Sequence, residues 1–302
     1  MKKVLITGAL GFIGFHLTEL LLNRGIEVVA VDARMDPRRE LEYEAKELTF
    51  LRNSNYNQVS VLLQNESLEE LGHGCDTIFH LSTPGEHRMR PQRRVEEGRE
   101  VMKRVMQGSY GKLLIYLSSF EVYGKRYGSI TERTPLHPVT HNGRVKAAEE
   151  AVLATAEEEM VIKKLRVPLV YGPWQPGNYV YQHYFLKGDL ISTYKNEGEI
   201  FHYDALYVDD VCEGLYKVAS RRELSETINL SSGREGEWQK GVEWCIEEQL
   251  NLEKEKTGQC AISTRECSKF SFKNLTSIQT GLEKQRQHVE MMKKLDAKIF
   301  NG

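Results

Sequence analysis

No apolar run in this 302-residue chain approaches the roughly 20 residues that a membrane-spanning helix needs. Charge of one sign is also lacking. The formal net charge is -2, so the composition draws the chain toward neither nucleic acid nor an anionic membrane. Cysteine is sparse. Cys75, Cys212, Cys245, Cys260 and Cys267 are odd in number, scattered and without a CxxC pair; reduced thiols in the cytoplasm are the expectation, and a metal site is not. The opening MKKVLITGALGFIGFHL has the lysines and apolar run of a secretion signal, but glycines interrupt the run and no small-residue cleavage site follows. It reads as a first strand. Internal repeats and low-complexity linkers are absent.

What is present is ordinary globular material, 40% hydrophobic and 28% charged, in a chain long enough for one large core or two. Lys3–Thr7, Glu27–Val31, Asp76–Leu81 and Lys112–Leu117 read as strands, Glu27–Val31 as one buried on both sides, and Met160–Leu165 leads into another. Phe12–Arg24, Arg93–Gln107 and Asn142–Glu159 have helical spacing between them. Strands alternating with helices of this length imply an α/β fold, a doubly wound parallel sheet covered by helices. After Pro173 the alternation is lost and aromatics thicken in NYVYQHYF. Leu206–Ala219 reads as a helix and Thr227–Leu230 as a strand that returns to the sheet. The expected division is a nucleotide-binding domain over 1–172, rejoined by 205–233, and a smaller substrate lobe over 173–204 and 234–302.

Gly8, Gly11 and Gly14 form GxxGxxG between the first strand and the first helix. Such glycines permit a tight turn, a close backbone approach to a pyrophosphate and close packing of helix on sheet. The helix then presents free N–H groups and the positive end of its dipole to the phosphates. The second strand leads to Asp32, whose carboxylate can accept the adenosine ribose hydroxyls and would repel a 2′-phosphate. The expected cofactor is NAD, with NADP less favoured; Arg34 close by weakens that preference, since an arginine there could hold a phosphate.

These motifs continue in an order that resembles the extended short-chain dehydrogenase/reductases, the NAD-dependent epimerase/dehydratase family acting on nucleotide sugars. TGALGFIG at Thr7–Gly14 is followed by HLST at His80–Thr83, SSFEVYG at Ser118–Gly124, LRVPLVYGP at Leu165–Pro173, LYVDDV at Leu206–Val211 and INLSSG at Ile228–Gly233. The resemblance implies a Rossmann-type sheet with a C-terminal substrate lobe. It implies cofactor contacts from Gly8, Gly11, Phe12, Ile13, Gly14, Asp32, Arg34, Leu81, Ser82 and Lys146. It also implies a homodimer joined through the helix that carries Lys146.

In that family a YxxxK pair on one helix does the chemistry: the lysine binds the nicotinamide ribose, and the tyrosine takes the proton as hydride leaves the sugar. Here the lysine is Lys146, but the position four residues earlier is Asn142. An amide cannot act as the base. Ser119 matches the family serine, and Glu121 matches a glutamate of family dehydratases and decarboxylases; its plain reading is a structural carboxylate at a strand end. His141, Tyr123 and Tyr127 are the nearby groups that could substitute for the tyrosine. Leu169 stands where the family has a substrate-contacting asparagine, and Tyr203, beside His202, where it has a diphosphate-gripping arginine. Arg265 is a weak match to a second such arginine. Arg88, Arg90, Arg93, Arg94 and Arg99 form either a solvated basic face or a pocket for an anionic substrate. Two functions follow. One is an NAD-dependent epimerase/dehydratase-like oxidoreductase on a nucleotide sugar or related anionic hydroxyl compound, with Ser119, Glu121, Asn142 and Lys146 in an atypical active site. The other is a catalytically inactive NAD-binding sensor or partner protein on the same fold. Neither nucleic acid, membrane nor metal is an expected partner.

Overall fold

The computed structural model describes all residues except 35, 64–65, 84–90, 127–128, 157–159, 189–203, 222–225, 248–274 and 301–302. By compactness the chain divides into two units. The first holds Met1–Gly124, Pro135–Arg166 and Cys212–Ile228; the second holds Lys125–Thr134, Val167–Val211 and Asn229–Gly302.

The first unit is built on β1 (Lys3–Thr7), β2 (Glu27–Asp32), β3 (Tyr56–Ser60), β4 (Thr77–His80), β5 (Leu113–Ser119) and β6 (Val161–Val167). With β9 (Thr227–Asn229) they form one seven-stranded sheet in the order β3-β2-β1-β4-β5-β6-β9. β1 pairs in parallel with β2 and with β4, β2 with β3, and β4 with β5. This is the doubly wound order, in which the chain starts at the centre, fills one side and then the other. It leaves a crevice beyond the carboxyl ends of β1 and β4, where the direction of winding reverses. The strands are buried on both faces because their residues are apolar almost without alternation: VLI in β1, VVAV in β2, LLIYL in β5.

Helix α1 (Phe12–Asn23) follows β1, α2 (Glu40–Phe50) follows β2, the single-turn α3 (Leu68–Leu71) follows β3 and α4 (Pro91–Gln107) follows β4. α5 (His141–Leu153) lies against α4. Their apolar stripe and one face of the sheet make the main core: Leu5, Val29, Val31, Ile78, Leu114 and Tyr116 from the strands meet Val101, Met102, Val105 and Leu153 from the helices.

Two expectations need correction. α5 ends at Leu153, before the expected Glu159; Thr155 turns back on its own chain, its hydroxyl donating to the Val152 carbonyl. The stretch read as one helix from Leu206 opens as a strand, β8 (Ala205–Tyr207), paired in parallel with β7 (Leu169–Tyr171); α7 (Val208–Ser220) begins after it. A three-residue apolar strand running straight into a helix has no period of its own to separate the two.

In the second unit α6 (Val180–Lys187), α8 (Glu237–Glu247) and α9 (Ile278–Phe300) pack with β7 and β8. Tyr171 meets Tyr181 and Tyr207 edge-on at 5.6 and 5.7 Å. Beneath them the buried Gln285 amide donates to Gln175 and Gln182 at 2.7 and 2.8 Å and accepts from the Gly172 N–H at 3.1 Å.

One buried charge pair fixes α5 to the sheet. Arg166 on β6 donates to both oxygens of Glu150, Nε at 2.9 Å and Nη2 at 2.6 Å, while its Nη1 donates to the Tyr123 hydroxyl at 2.7 Å and Ser118 donates to Glu150 at 2.6 Å. Both charges are at least 95% buried, so either would be costly alone. Arg166→Met is therefore expected to destabilise the protein by about 3–5 kcal/mol. A urea midpoint equal to that of the unaltered protein would contradict it.

Candidate active site

Three loops leave the carboxyl ends of the central strands side by side. Residues Thr7, His80 and Tyr116 stand in register across β1, β4 and β5, and the loops after them carry Gly8–Gly14, Leu81–Thr83 and the 3₁₀ turn Phe120–Tyr123.

The first loop depends on its glycines. Gly8 has φ +74°, a left-handed conformation, and a Cβ there would lie 2.9 Å from the Ser82 nitrogen. A Cβ on Gly14 would lie 2.0 Å from the Gly8 carbonyl oxygen, so no side chain fits without moving backbone. The Gly8 N–H donates to the Val31 carbonyl at 2.8 Å. α1 then starts at Phe12 with no side chain capping its amino end, which leaves N–H groups of the first turn directed at the crevice. Asp32, at the end of β2, accepts from the Leu10 N–H at 2.9 Å and the Arg34 N–H at 3.2 Å. The Arg34 guanidinium is ion-paired with Glu40 at 3.3 Å and with Glu47. A cation already engaged by two carboxylates is poorly placed to receive a phosphate, which removes the ambiguity that Arg34 carried in the sequence.

In the second loop, Ser82 Oγ lies 3.2 Å from Thr7 Oγ1, which lies 2.7 Å from His80 Nδ1. His80 is fully buried and its Nε2 has no hydrogen-bond partner among the described residues. Burial, reinforced by the Lys146 ammonium, pushes its pKa down to about 3. The ring is thus neutral across the physiological range.

The third loop and α5 supply the remaining groups. Lys146 is buried; its Nζ lies 3.4 Å from Glu149 Oε2 and 4.9 Å from the centre of the Tyr116 ring. The Tyr116 hydroxyl donates to the same Glu149 oxygen, and burial together with that carboxylate holds the phenol well above its ordinary range. Glu149 Oε1 has no hydrogen-bond partner among the described residues. Ser119 caps the 3₁₀ turn by accepting the Glu121 N–H at 3.2 Å. Asn142 does not stand idle. Its Nδ2 donates to Glu121 Oε1 at 2.7 Å, and the Thr140 hydroxyl donates to Glu121 Oε2. Thr140 is also the N-cap of α5, accepting the Gly143 N–H at 3.0 Å. A Cβ on Gly143 would approach the Glu121 carbonyl oxygen to 2.5 Å, so a glycine at 143 is what lets α5 come this close to the turn.

The structure thus brings Glu121 and Asn142 into direct contact and places Lys146 beside the β4–β5 strand ends. Of the groups that could replace the missing tyrosine, Tyr123 is fully buried with its hydroxyl engaged by Arg166. His141 is the first residue of α5, and its Nε2 has no hydrogen-bond partner among the described residues. Tyr127 lies outside the described residues, as do Arg88, Arg90, His202, Tyr203 and Arg265. Of the other arginines, Arg93 and Arg99 are exposed and Arg94 is buried. Leu169 is buried within β7. Thr140, Glu149 and Tyr116 were not singled out from the sequence. Thr140 had a legible signal, a threonine directly before a helix; the other two did not.

A model of the NAD dependent epimerase/dehydratase family matches residues 4–231. The chain belongs to this family. Its curated relatives include an uncharacterized UDP-glucose epimerase of Bacillus subtilis, 28% identical over 246 residues that make up 76% of each chain. Another is a UDP-N-acetyl-alpha-D-glucosaminuronate decarboxylase of Bacillus cytotoxicus, 28% identical over 251 residues, 76% of this chain and 75% of that one. Among solved structures, the UDP-glucuronic acid 4-epimerase of Bacillus cereus in complex with NAD superposes with a TM-score of 0.80 at 23% identity, over 97% of this chain and 98% of that one. It shares the fold.

The neutral His80 ties stability to acid. In the unfolded chain a histidine binds its proton near pH 6.5; in the fold it does so only near 3. Its contribution is fully present above 6.5 and is lost as pH falls from 6.5 toward 3, at up to about 1.4 kcal/mol per pH unit. Denaturation midpoints across that range should fall less steeply for His80→Gln than for the unaltered protein. Parallel curves would refute the assignment.

Proposed function

We propose that this protein is an NAD-dependent epimerase/dehydratase-type oxidoreductase acting on a nucleotide sugar or a related anionic hydroxyl compound. The observation that carries the reading is what the strand-end loops and α5 supply: a glycine cradle, a buried lysine, and a carboxylate hydrogen-bonded by the residue that stands in the family's tyrosine position.

The residues fit a dinucleotide. The Cβ-free path from Gly8 to Gly14 leaves backbone N–H groups accessible, Phe12 and Ile13 open the helix that presents them, and Asp32 retains lone pairs for ribose hydroxyls. Leu81 and Ser82 border the cradle, since the Ser82 backbone is what Gly8 approaches. The engagement of Arg34 by Glu40 and Glu47 favours NAD over NADP. When bound, NAD would take hydride from a carbon bearing a hydroxyl. The chain has to bind the cofactor's ribose, orient the substrate and receive a proton. Lys146, held by Glu149, is assigned to the ribose. Ser119 and Glu121 are assigned to the substrate hydroxyl. Glu121 can receive its proton, whereas Asn142 cannot; the Asn142 amide and the Thr140 hydroxyl hold the carboxylate in one orientation. The second unit is assigned the substrate lobe.

The assembly we assign is a cytoplasmic homodimer joined through α5. The dimer is supported by the run Ala147, Ala148, Ala151, Val152 on that helix, and the compartment by Cys75, Cys212 and Cys245, which are buried and in no disulfide among the described residues. A monomer by light scattering would remove the dimer.

The activity test mixes the purified protein with NAD and a panel of nucleotide sugars, including UDP-glucose and UDP-glucuronic acid, and follows NADH absorbance and product identity. Turnover with at least one is expected, and Glu121→Gln should lower kcat by about 10²-fold or more with little change in NAD affinity. NAD binding with silence across the panel would return the non-catalytic reading. Activity that first appears in Asn142→Tyr would show position 142 to be the obstacle.

A further inference from the structure

Lys46 is the most deeply buried cation of the described residues, with 0% of its surface exposed. It lies on α2, outside every motif that the sequence offers. Its Nζ donates to the Leu10 carbonyl oxygen at 2.9 Å and to Glu42 Oε1 at 2.5 Å. Leu10 directly precedes Gly11 in the glycine loop, is itself 1% exposed, and its N–H is the one accepted by Asp32 at 2.9 Å. The Leu10 residue is therefore gripped at both ends, N–H by Asp32 and C=O by Lys46.

That carbonyl needs a partner from elsewhere. It belongs to neither β1 nor α1, and a buried carbonyl left without a donor is costly. A cation supplies a stronger bond than a neutral donor would. The lysine in turn is kept in place by a carboxylate and an aromatic ring. Glu42, one turn earlier on α2, gives it a counter-charge, and Glu42 is itself held by Arg39, Nε to Oε2 at 2.9 Å and Nη2 to Oε1 at 2.6 Å. The Phe15 ring of α1 lies with its centre 5.8 Å from Nζ. Burial lowers the Lys46 pKa and the Glu42 carboxylate opposes it, while the paired cations hold Glu42 below its ordinary value. The orientation of the Leu10 carbonyl fixes the peptide that leads into Gly11, whose carbonyl accepts the Phe15 N–H at 3.1 Å in the first turn of α1. A change at Leu10 thus re-aims the N–H groups that would face a diphosphate.

We propose that Lys46, braced by Glu42 and Arg39, is a positioning residue of the dinucleotide site, setting the glycine loop in the shape that receives the cofactor's diphosphate. This rests on the NAD-binding reading above. It enlarges the cofactor apparatus from one strand–loop–helix unit to include the helix that follows β2.

The test is the dissociation constant of NAD, and separately of ADP-ribose, measured by calorimetry on the full-length protein and on Lys46→Met. Circular dichroism melts run in parallel. Weakening of about tenfold or more is expected for both ligands, because the diphosphate and not the nicotinamide is affected. A folded Lys46→Met with unchanged affinities would overturn the proposal while the NAD reading stands. Failure of the unaltered protein to bind NAD would overturn both. If Lys46→Met does not fold, Glu42→Gln decides. It leaves the ammonium present without its counter-charge, and severalfold weaker binding of both ligands supports the brace, whereas unchanged binding refutes it.

Discussion

The Gly8 carbonyl oxygen occupies the space that a Cβ on residue 14 would need, 2.0 Å away, and α1 can start against β1 only because residue 14 has none. From that approach the rest of the first unit follows. The helix amino end opens over the crevice, the Val31 carbonyl meets the Gly8 N–H, and Asp32 arrives beside Leu10 at the next strand end. β4 then closes against β1 from the other side, placing Ser82 where a side chain at position 8 would collide with it. The parallel sheet supplies the crevice; the missing carbons keep it accessible.

The second organising feature is the separation of charge on α5. Glu149 and Glu150 are adjacent and both buried, yet they serve different neighbours. Glu150 joins Arg166, Ser118 and Tyr123 in a fully bonded structural cluster. Glu149 faces Lys146 and Tyr116, with one oxygen left without a partner among the described residues. Consecutive helix positions point about 100° apart, so one helix turn anchors the element with one carboxylate and holds the site's ammonium with the other.

Much of the sheet was legible because its strands are buried on both faces and written as unbroken apolar runs. β1, β2, β4 and β5 could be read within a residue or two from KVLIT, EVVAV, DTIFHL and KLLIYL. α2 and β3 were not read: ELEYEAKELTF is mostly polar, and YNQVS lies at the sheet edge with no residue fully buried. β8 was absorbed into the helix after it, since three apolar residues carry no period. At the site, the glycines and Asp32 stood out by their spacing around the first strand and helix, whereas Ser119, Glu121 and Lys146 were marked only by the resemblance of their motifs to the family. The partners of those residues were not legible. Asn142 and Glu121 are 21 positions apart, and Lys46 and Leu10 are 36 apart; only the folded chain states that they touch. Thus Asn142 looked like a loss in the sequence and is a hydrogen-bond donor in the structure.

Gly98 sits on α4 where that helix meets α5. A Cβ there would lie 3.0 Å from Glu149 Oε1 and 3.2 Å from Val145. The bare backbone of Gly98 leaves room for the carboxylate that faces Lys146. A side chain at position 98 would thus press first on the carboxylate that faces Lys146, so the spacing of α4 and α5 at this glycine and the seat of the ammonium are set together.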